Sequence, residues 1–329
     1  MTTIGFDGAC LGAHTLSGVE RSFLLTLDAF VKRGTRCIVW VPPCAPDLPA
    51  GVVRREFLGP SFVWRQRALP RQLADEQVDL WLSPTTTLPA TAPCRTVSTV
   101  HDLPDRDSKG PPLSELRQAF ARERLGARAW RVIVPSQRTR VLLLRAHPEL
   151  GERARIVPQP IDPRFFTSSR ACEPRGYVVV GGARRRKNLD RLRAAWAQLP
   201  ATLRRRHPLH QVGAQQTVTT ESLARLIGES LGVVMPSMAE GFGIPALESL
   251  ALGRPVLGSR ATITEDLCGD LAALVNPLDM HSIQRGLERM VHDRALQARA
   301  AEHGPALAAT FTPERSADAW CALIDEALK

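Results

Sequence analysis

Short apolar runs alternate with amphipathic stretches along the whole chain. Residues 3–7 read as an apolar strand, residues 8–18 as a Gly-containing loop, and residues 19–32 as a helix that ends at Gly34, so the chain opens on a β-loop-α unit. Further strands are expected at 37–41, 79–82, 96–100, 131–134 and 156–157, with helices near 112–127 and 137–146. Strands alternating with helices imply a parallel sheet covered on both faces. Residues 162–175, containing Pro163 and Pro174, break the periodicity and read as an interdomain linker. The pattern restarts with Gly176-Tyr-Val-Val-Val-Gly-Gly182, a basic turn at 184–187 and a helix over 188–199. Strands at 231–235 and 255–258 bracket a helix that begins at Ile244 or Pro245, and amphipathic helices run over 279–291 and 313–328.

A chain of 329 residues exceeds what one core usually supports, which fits two α/β domains of roughly 150 residues each. The expected organisation is an N-terminal Rossmann-like domain over 1–162, a second over 163–312, and a C-terminal helix over 313–329. Hydrophobic residues make up 44% and charged residues 23%, with no apolar run long enough to span a bilayer and no leader-like start, so a cytoplasmic protein is expected. The seven cysteines (10, 37, 44, 94, 172, 268 and 321) are scattered and never spaced as C-x-x-C, which suggests reduced, mostly buried thiols rather than a disulfide framework or zinc. A net charge of +10 asks for an acidic partner: nucleic acid, anionic lipid or a phosphate-bearing substrate. Aromatics are only 5% and no nucleic-acid recognition motif appears, so nucleic acid is not expected.

The most informative stretch is Met235-Pro-Ser-Met-Ala-Glu-Gly-Phe-Gly-Ile-Pro-Ala-Leu-Glu248, where a strand ends, glycines turn the chain and a helix starts at a proline. Gly241 and Gly243 permit close backbone approach, Pro245 fits a first helical turn, and N–H groups at a helix start form an anion site suited to a diphosphate. Glu240 before the helix, and Glu248 expected in its first turn, are placed to accept hydrogen bonds from sugar hydroxyls. By itself Glu248 also reads as a carboxylate that complements the helix dipole. A second constellation, Gly181-Gly-Ala-Arg-Arg-Arg-Lys-Asn188, follows a strand and precedes a helix that Asn188 is expected to cap, which puts cations at a sheet's carboxyl edge. Read alone, four basic residues in a row are a solvated turn.

The E-G-F-G-x-P-x-L-E segment, with its Glu, seven residues, Glu spacing, resembles the retaining family-4 glycosyltransferases of the GT-B fold. The resemblance implies two Rossmann-like domains facing across a cleft, with the C-terminal helix packing back on the first. It also implies transfer of a hexose-type sugar from a UDP or GDP donor, without a metal or other cofactor, to a glycan, lipid-linked or small-molecule acceptor. By that resemblance Glu240 binds the donor sugar, the turn from Gly241 through Phe242 and Gly243 to Ile244 offers N–H groups, and Glu248 holds the ribose. Lys187 and an arginine neutralise the diphosphate; Arg184 is preferred over Arg185 and Arg186. His101, in the His101-Asp102 pair after a strand, is implied near the transferred sugar, and Gly12 and Gly18 in the first loop lie under the phosphate. Taken alone, His101 reads as a surface histidine beside a carboxylate, and the first loop as an ordinary turn.

Asp105 and Asp107 form a D-x-D that reads as chance. Gln159-Pro160 stands where the family commonly has Asn-Gly, and residues 199–223 look short, as if a strand-helix unit were trimmed. The run Phe62-Val-Trp-Arg-Gln-Arg-Ala-Leu-Pro-Arg71 reads either as a solvated edge helix or as a face resting on an anionic membrane at its inner side. Two other classes fit the same residues: a nucleotide-sugar epimerase of the same fold and a non-catalytic sugar-nucleotide binding protein.

Overall fold

Two all-parallel sheets carry the chain. The computed structural model describes residues 2–12, 16–102, 128–168, 170, 173–182, 185–213 and 218–329. The first sheet comprises β1 (Thr3–Asp7), β2 (Arg36–Val41), β3 (Val53–Glu56), β4 (Leu80–Ser83), β5 (Arg95–Thr99), β6 (Arg131–Val134) and β7 (Ala154–Ile156), in the order β3-β2-β1-β4-β5-β6-β7. The second comprises β8 (Tyr177–Val180), β9 (Leu209–Val212), β10 (Val233–Met235), β11 (Val256–Ser259) and β12 (Ala272–Val275), in the order β12-β11-β10-β8-β9. The chain divides accordingly into one unit of Met1–Pro160 with Pro313–Lys329, and another of Ile161–Thr312.

The apolar runs become strands because a parallel sheet buries both faces. In β2 the two-residue period sends Cys37, Val39 and Val41 to one core with Phe6, Phe23 and Phe30, and Ile38 and Trp40 to the other with Trp64 and Trp81. The helix Gly18–Lys32 starts on a capping box in which Ser17 Oγ accepts from Glu20 N–H and the Glu20 carboxylate accepts from Ser17 N–H. The helix Pro313–Leu328 packs on this first unit: Trp320 meets Phe30 edge-on at 6.4 Å, and Ser316 Oγ donates to Pro158 O at 2.9 Å.

Several expectations change. The helix expected near 112–127 and the Asp105 and Asp107 pair lie outside the described residues. Residues 162–175 do not begin as a linker, because Phe165, on the short helix Arg164–Thr167, is fully buried in the second core beside Ile161. Residues 199–223 hold the helix Ala201–Arg206 and the edge strand β9, whose half-polar sequence Leu-His-Gln-Val carries no apolar run. Of the cysteines, only Cys37 and Cys268 are buried among those described; Cys44 is exposed and Cys10, Cys94 and Cys321 lie between.

The tryptophan of the basic run faces inward. Trp64 stacks on Phe57 with ring centroids 4.2 Å apart, and its Nε1–H donates to Gln72 Oε1. Next to it the Arg65 side chain is 6% exposed and pairs with Asp7, itself 2% exposed, with Nε 2.6 Å from Oδ2. What reaches the surface from this stretch is Phe62 and Val63, both 44% exposed, with Arg67 and Arg71, beside Leu58 at 82%. Among the described residues no helix is long and apolar enough to cross a membrane.

Removing one partner of a buried pair leaves the other charge uncompensated. Asp7→Ala is expected to destabilise the first unit by about 3–5 kcal/mol, and Asp7→Leu with Arg65→Met by much less, measured by denaturant unfolding.

Candidate functional site

In the second sheet β8 lies between β9, which follows it in sequence, and β10, so the strand order reverses between β8 and β10. Ligands of open α/β sheets bind outside the carboxyl ends of the strands at such a reversal. Both motifs singled out in the sequence fall there. After β8, Gly181 takes a φ of 119°, and a Cβ at that position would lie 3.4 Å from Lys187 Cε. A single 3-10 turn, Arg185–Lys187, then delivers the cations.

That turn is stitched to the loop after β10. Asn188 adopts a left-handed conformation, φ 58° and ψ 33°, and its Nδ2 donates to Pro236 O at 3.0 Å and to Pro277 O at 2.7 Å. It therefore does not cap the helix Leu189–Ala197 with its side chain, as the sequence had suggested. Met238 N–H donates to Arg186 O at 2.7 Å, closing the second stitch.

These constraints bring four side chains together. Glu240 Oε1 accepts from Lys187 Nζ at 2.7 Å and from Ser237 Oγ at 2.6 Å, and Oε2 lies 3.4 Å from Arg186 Nη1. The Glu240 side chain is 7% exposed and the two cations 15% and 18%, so the pairs sit where water screens little. Beyond Glu240, Phe242 is buried against Phe311, and Gly243 takes φ 88° at the start of the helix Ile244–Ala251. A side chain at Gly243 would be strained there. Ala246 N–H donates to Gly243 O at 2.9 Å, and Pro245 before it has no N–H to donate. Glu248 occupies the second turn rather than the first, because the helix begins at Ile244, and it is 2% exposed in a helix otherwise lined with apolar and small residues. Burying a carboxylate costs desolvation that its partners must offset.

Arg184 lies outside the described residues, whereas Arg186 stands beside Glu240. Arg186 and Ser237 are the site members that sequence reading did not single out. The sequence favours Arg184 over Arg186, and Ser237, 1% exposed, carries no charge that marks it.

The first unit holds a separate polar centre. His101 follows β5, and both ring nitrogens are engaged: Nε2 lies 2.7 Å from Pro84 O and Nδ1 lies 2.8 Å from Gln159 Nε2. A carbonyl only accepts and an amide nitrogen only donates, so the ring carries its proton on Nε2 and is neutral. Gln159, where the family commonly has Asn, thus sets the tautomer. His101 lines a cavity of about 50 Å³ together with Phe6, Phe23, Leu82, Ile133 and Trp320, which has room for a few waters. Gly12 ends the 3-10 turn Ala9–Gly12 and accepts from Cys44 Sγ, and Gly18 is the first residue of its helix. The structure therefore groups Lys187, Glu240 and the 241–244 turn in one unit, and His101 with the first loop's sheet in the other.

Comparison with known proteins gives these features a family. A model described as glycosyltransferase family 4 matches residues 16–165, and one described as glycosyl transferases group 1 matches residues 207–306. The serotype-specific mannosyltransferase WbdA of Escherichia coli is 31% identical over 153 residues, which cover 39% of this chain and 19% of that protein. The O-antigen chain mannosyltransferase B of E. coli is 28% identical over 163 residues, 42% of this chain and 43% of that one. The matched segment thus spans about a fifth of the length of the first of these relatives and under half of the second. Among solved structures, the sucrose-phosphate synthase of Thermosynechococcus elongatus superposes with a TM-score of 0.79 at 18% identity, covering 99% of each chain. WaaG, a glycosyltransferase of lipopolysaccharide biosynthesis, does so at 0.76 and 17%, covering 96% of this chain and 98% of that one. Two parallel, Rossmann-like units of this kind define the GT-B class of fold. The chain belongs to glycosyltransferase family 4.

Burial pushes the His101 pKa below its ordinary 6.5, against smaller opposing effects of the Pro84 carbonyl and the Asp102 charge. The unfolded ring takes up a proton as pH falls through about 6.5 while the folded ring resists, so its contribution is present above that pH and lost below it. The thermal midpoint is expected to fall between about pH 7 and pH 5, and His101→Gln to flatten that slope, as read by calorimetry.

Proposed function

We propose that the protein is a retaining, metal-independent hexosyltransferase that takes a UDP- or GDP-sugar and delivers the sugar to a glycan, lipid-linked or small-molecule acceptor. The observation that carries this reading is the meeting of Lys187 and Arg186 with Glu240 and the 241–244 turn at the strand reversal of the second sheet. Cations and a helix start on one side suit a diphosphate, and a carboxylate beside them suits sugar hydroxyls. The names of the relatives, mannosyltransferases in two instances, support a hexose donor, and the structural neighbour HepE has been solved with UDP and with UDP-glucose.

In this reading the bond from the anomeric carbon to the diphosphate oxygen breaks as negative charge grows on the leaving group. Lys187, aided by Arg186 and Arg184, stabilises that charge, and the N–H groups of residues 242–244 add their dipoles. Glu240 orients the donor sugar, and Glu248 takes the ribose hydroxyls. Retention follows a front-face path that needs no protein nucleophile: the acceptor hydroxyl oxygen bonds to the anomeric carbon on the face the diphosphate leaves, and its proton passes to the departing phosphate oxygen. His101, neutral and held at both nitrogens, acts by position without exchanging a proton. The acceptor side belongs to the first unit.

The test is nucleotide binding followed by transfer. With EDTA present, UDP or GDP is expected to raise the thermal midpoint, Glu248→Gln to diminish the rise, and Lys187→Ala to lower the transfer rate by about 10²–10³-fold. No shift with any nucleoside diphosphate, and no transfer from any nucleotide sugar, would sink the reading.

The exposed Leu58, Phe62 and Val63, with Arg67 and Arg71 on the same helical excursion, support contact with an anionic membrane that presents a lipid-linked acceptor. Leu58→Ser with Phe62→Ser is expected to reduce co-sedimentation with phosphatidylglycerol vesicles and to leave nucleotide binding unchanged. Equal sedimentation of variant and wild type would remove the membrane from the account.

A further inference from the structure

A site built to bind a diphosphate has two electrostatic needs that oppose each other. It must attract the donor, and it must let the nucleoside diphosphate go, although the product carries more negative charge than the donor did. Tight binding of the product would slow turnover.

The arrangement around Glu240 bears on that conflict. Of the cations on the turn Arg185–Lys187, Lys187 and Arg186 face the Glu240 carboxylate, Lys187 through Oε1 and Arg186 through Oε2. Ser237 Oγ donates to Oε1 at 2.6 Å, and Ser237 is itself 1% exposed, so the carboxylate is pinned toward the cations. The hydrogen bonds from Asn188 Nδ2 to Pro236 O and from Met238 N–H to Arg186 O fix the distance between the two loops, which denies the pair an easy way to part. With side chains this sheltered, the interaction is stronger than a surface ion pair and is felt by any anion entering the site.

We propose that Glu240 is the resident counter-ion of Lys187 and Arg186, and that by competing with the diphosphate it weakens product binding and speeds product release. This rests on the reading of the site as one for a nucleoside diphosphate. A carboxylate that served only to hold sugar hydroxyls would have no effect on a ligand without the sugar, or would leave it slightly favoured or disfavoured by packing alone. A counter-ion gives the opposite of the usual result for a substitution in a binding site: its removal tightens binding. Donor affinity then reflects two terms, loss of a sugar contact and gain of free cations, while product affinity reflects only the second.

The experiment compares wild type with Glu240→Gln, which keeps the shape and removes the charge, and uses Glu240→Ala as a second variant if the amide disturbs folding. Titration calorimetry is run with UDP, GDP and inorganic pyrophosphate, each at low and high salt, and stopped-flow displacement gives the nucleotide off-rate. The expected outcome is binding roughly fivefold tighter or more in Glu240→Gln, with a slower off-rate and a steeper salt dependence. In a Lys187→Met background the gain is expected to shrink, since one of the two freed cations is gone. Equal or weaker binding of nucleotide and pyrophosphate by both folded Glu240 variants overturns the proposal. If wild type binds no nucleotide, the reading of the site as a nucleoside-diphosphate site fails. The counter-ion idea then stands only if Glu240→Gln gains pyrophosphate affinity, and falls if it does not.

Discussion

The candidate donor site depends on the way Asn188 is tied down. Its backbone is held in a left-handed conformation, and its amide donates to carbonyls from two other strand-end loops. An L-residue enters that region at a cost, which asparagine tolerates better than most because its short polar side chain finds local partners. Here the partners are Pro236 and Pro277, so the strain of one residue aligns the ends of β8, β10 and β12. Lys187 is one bond upstream of that anchor, and its position relative to Glu240 follows from it.

The two units solve the same problem of polar groups at sheet edges in different ways. In the first, polar groups near the carboxyl edge are satisfied internally: the Asp7 charge by Arg65, and the neutral His101 ring by two hydrogen bonds. In the second, cations and a carboxylate are gathered and left partly accessible, with side chains 7–18% exposed. The first arrangement favours shape and the second favours charge, as the proposed acceptor side and diphosphate side require. It also gives the net charge of +10 one specific use at the strand reversal and leaves most of it on the surface.

Much of the fold was legible because parallel strands are continuous apolar runs and long amphipathic helices repeat every 3.6 residues. The helix at 313–328 was read at its true ends, and β1, β2 and β6 within a residue. The strands β3 and β9 were missed because they lie at sheet edges, where Val-Arg-Arg-Glu and Leu-His-Gln-Val need bury little. Trp64 was misjudged for a related reason: a tryptophan among arginines looks exposed until the stacking Phe57 and the buried Asp7 are known, and neither is a sequence neighbour of it.

The sequence by itself determined the α/β class, the repeated β-loop-α units and the chemistry of the two basic-and-acidic motifs, because these depend on periodicity and on contacts within a few residues. The tertiary structure alone decided which partner each charge takes. Lys187 and Glu240 are 53 residues apart, His101 and Gln159 are 58 apart, and Asp7 and Arg65 are likewise 58 apart. Pairings at such separations follow from strand order in a parallel sheet, and strand order is set by how whole elements cover its faces, not by any local pattern.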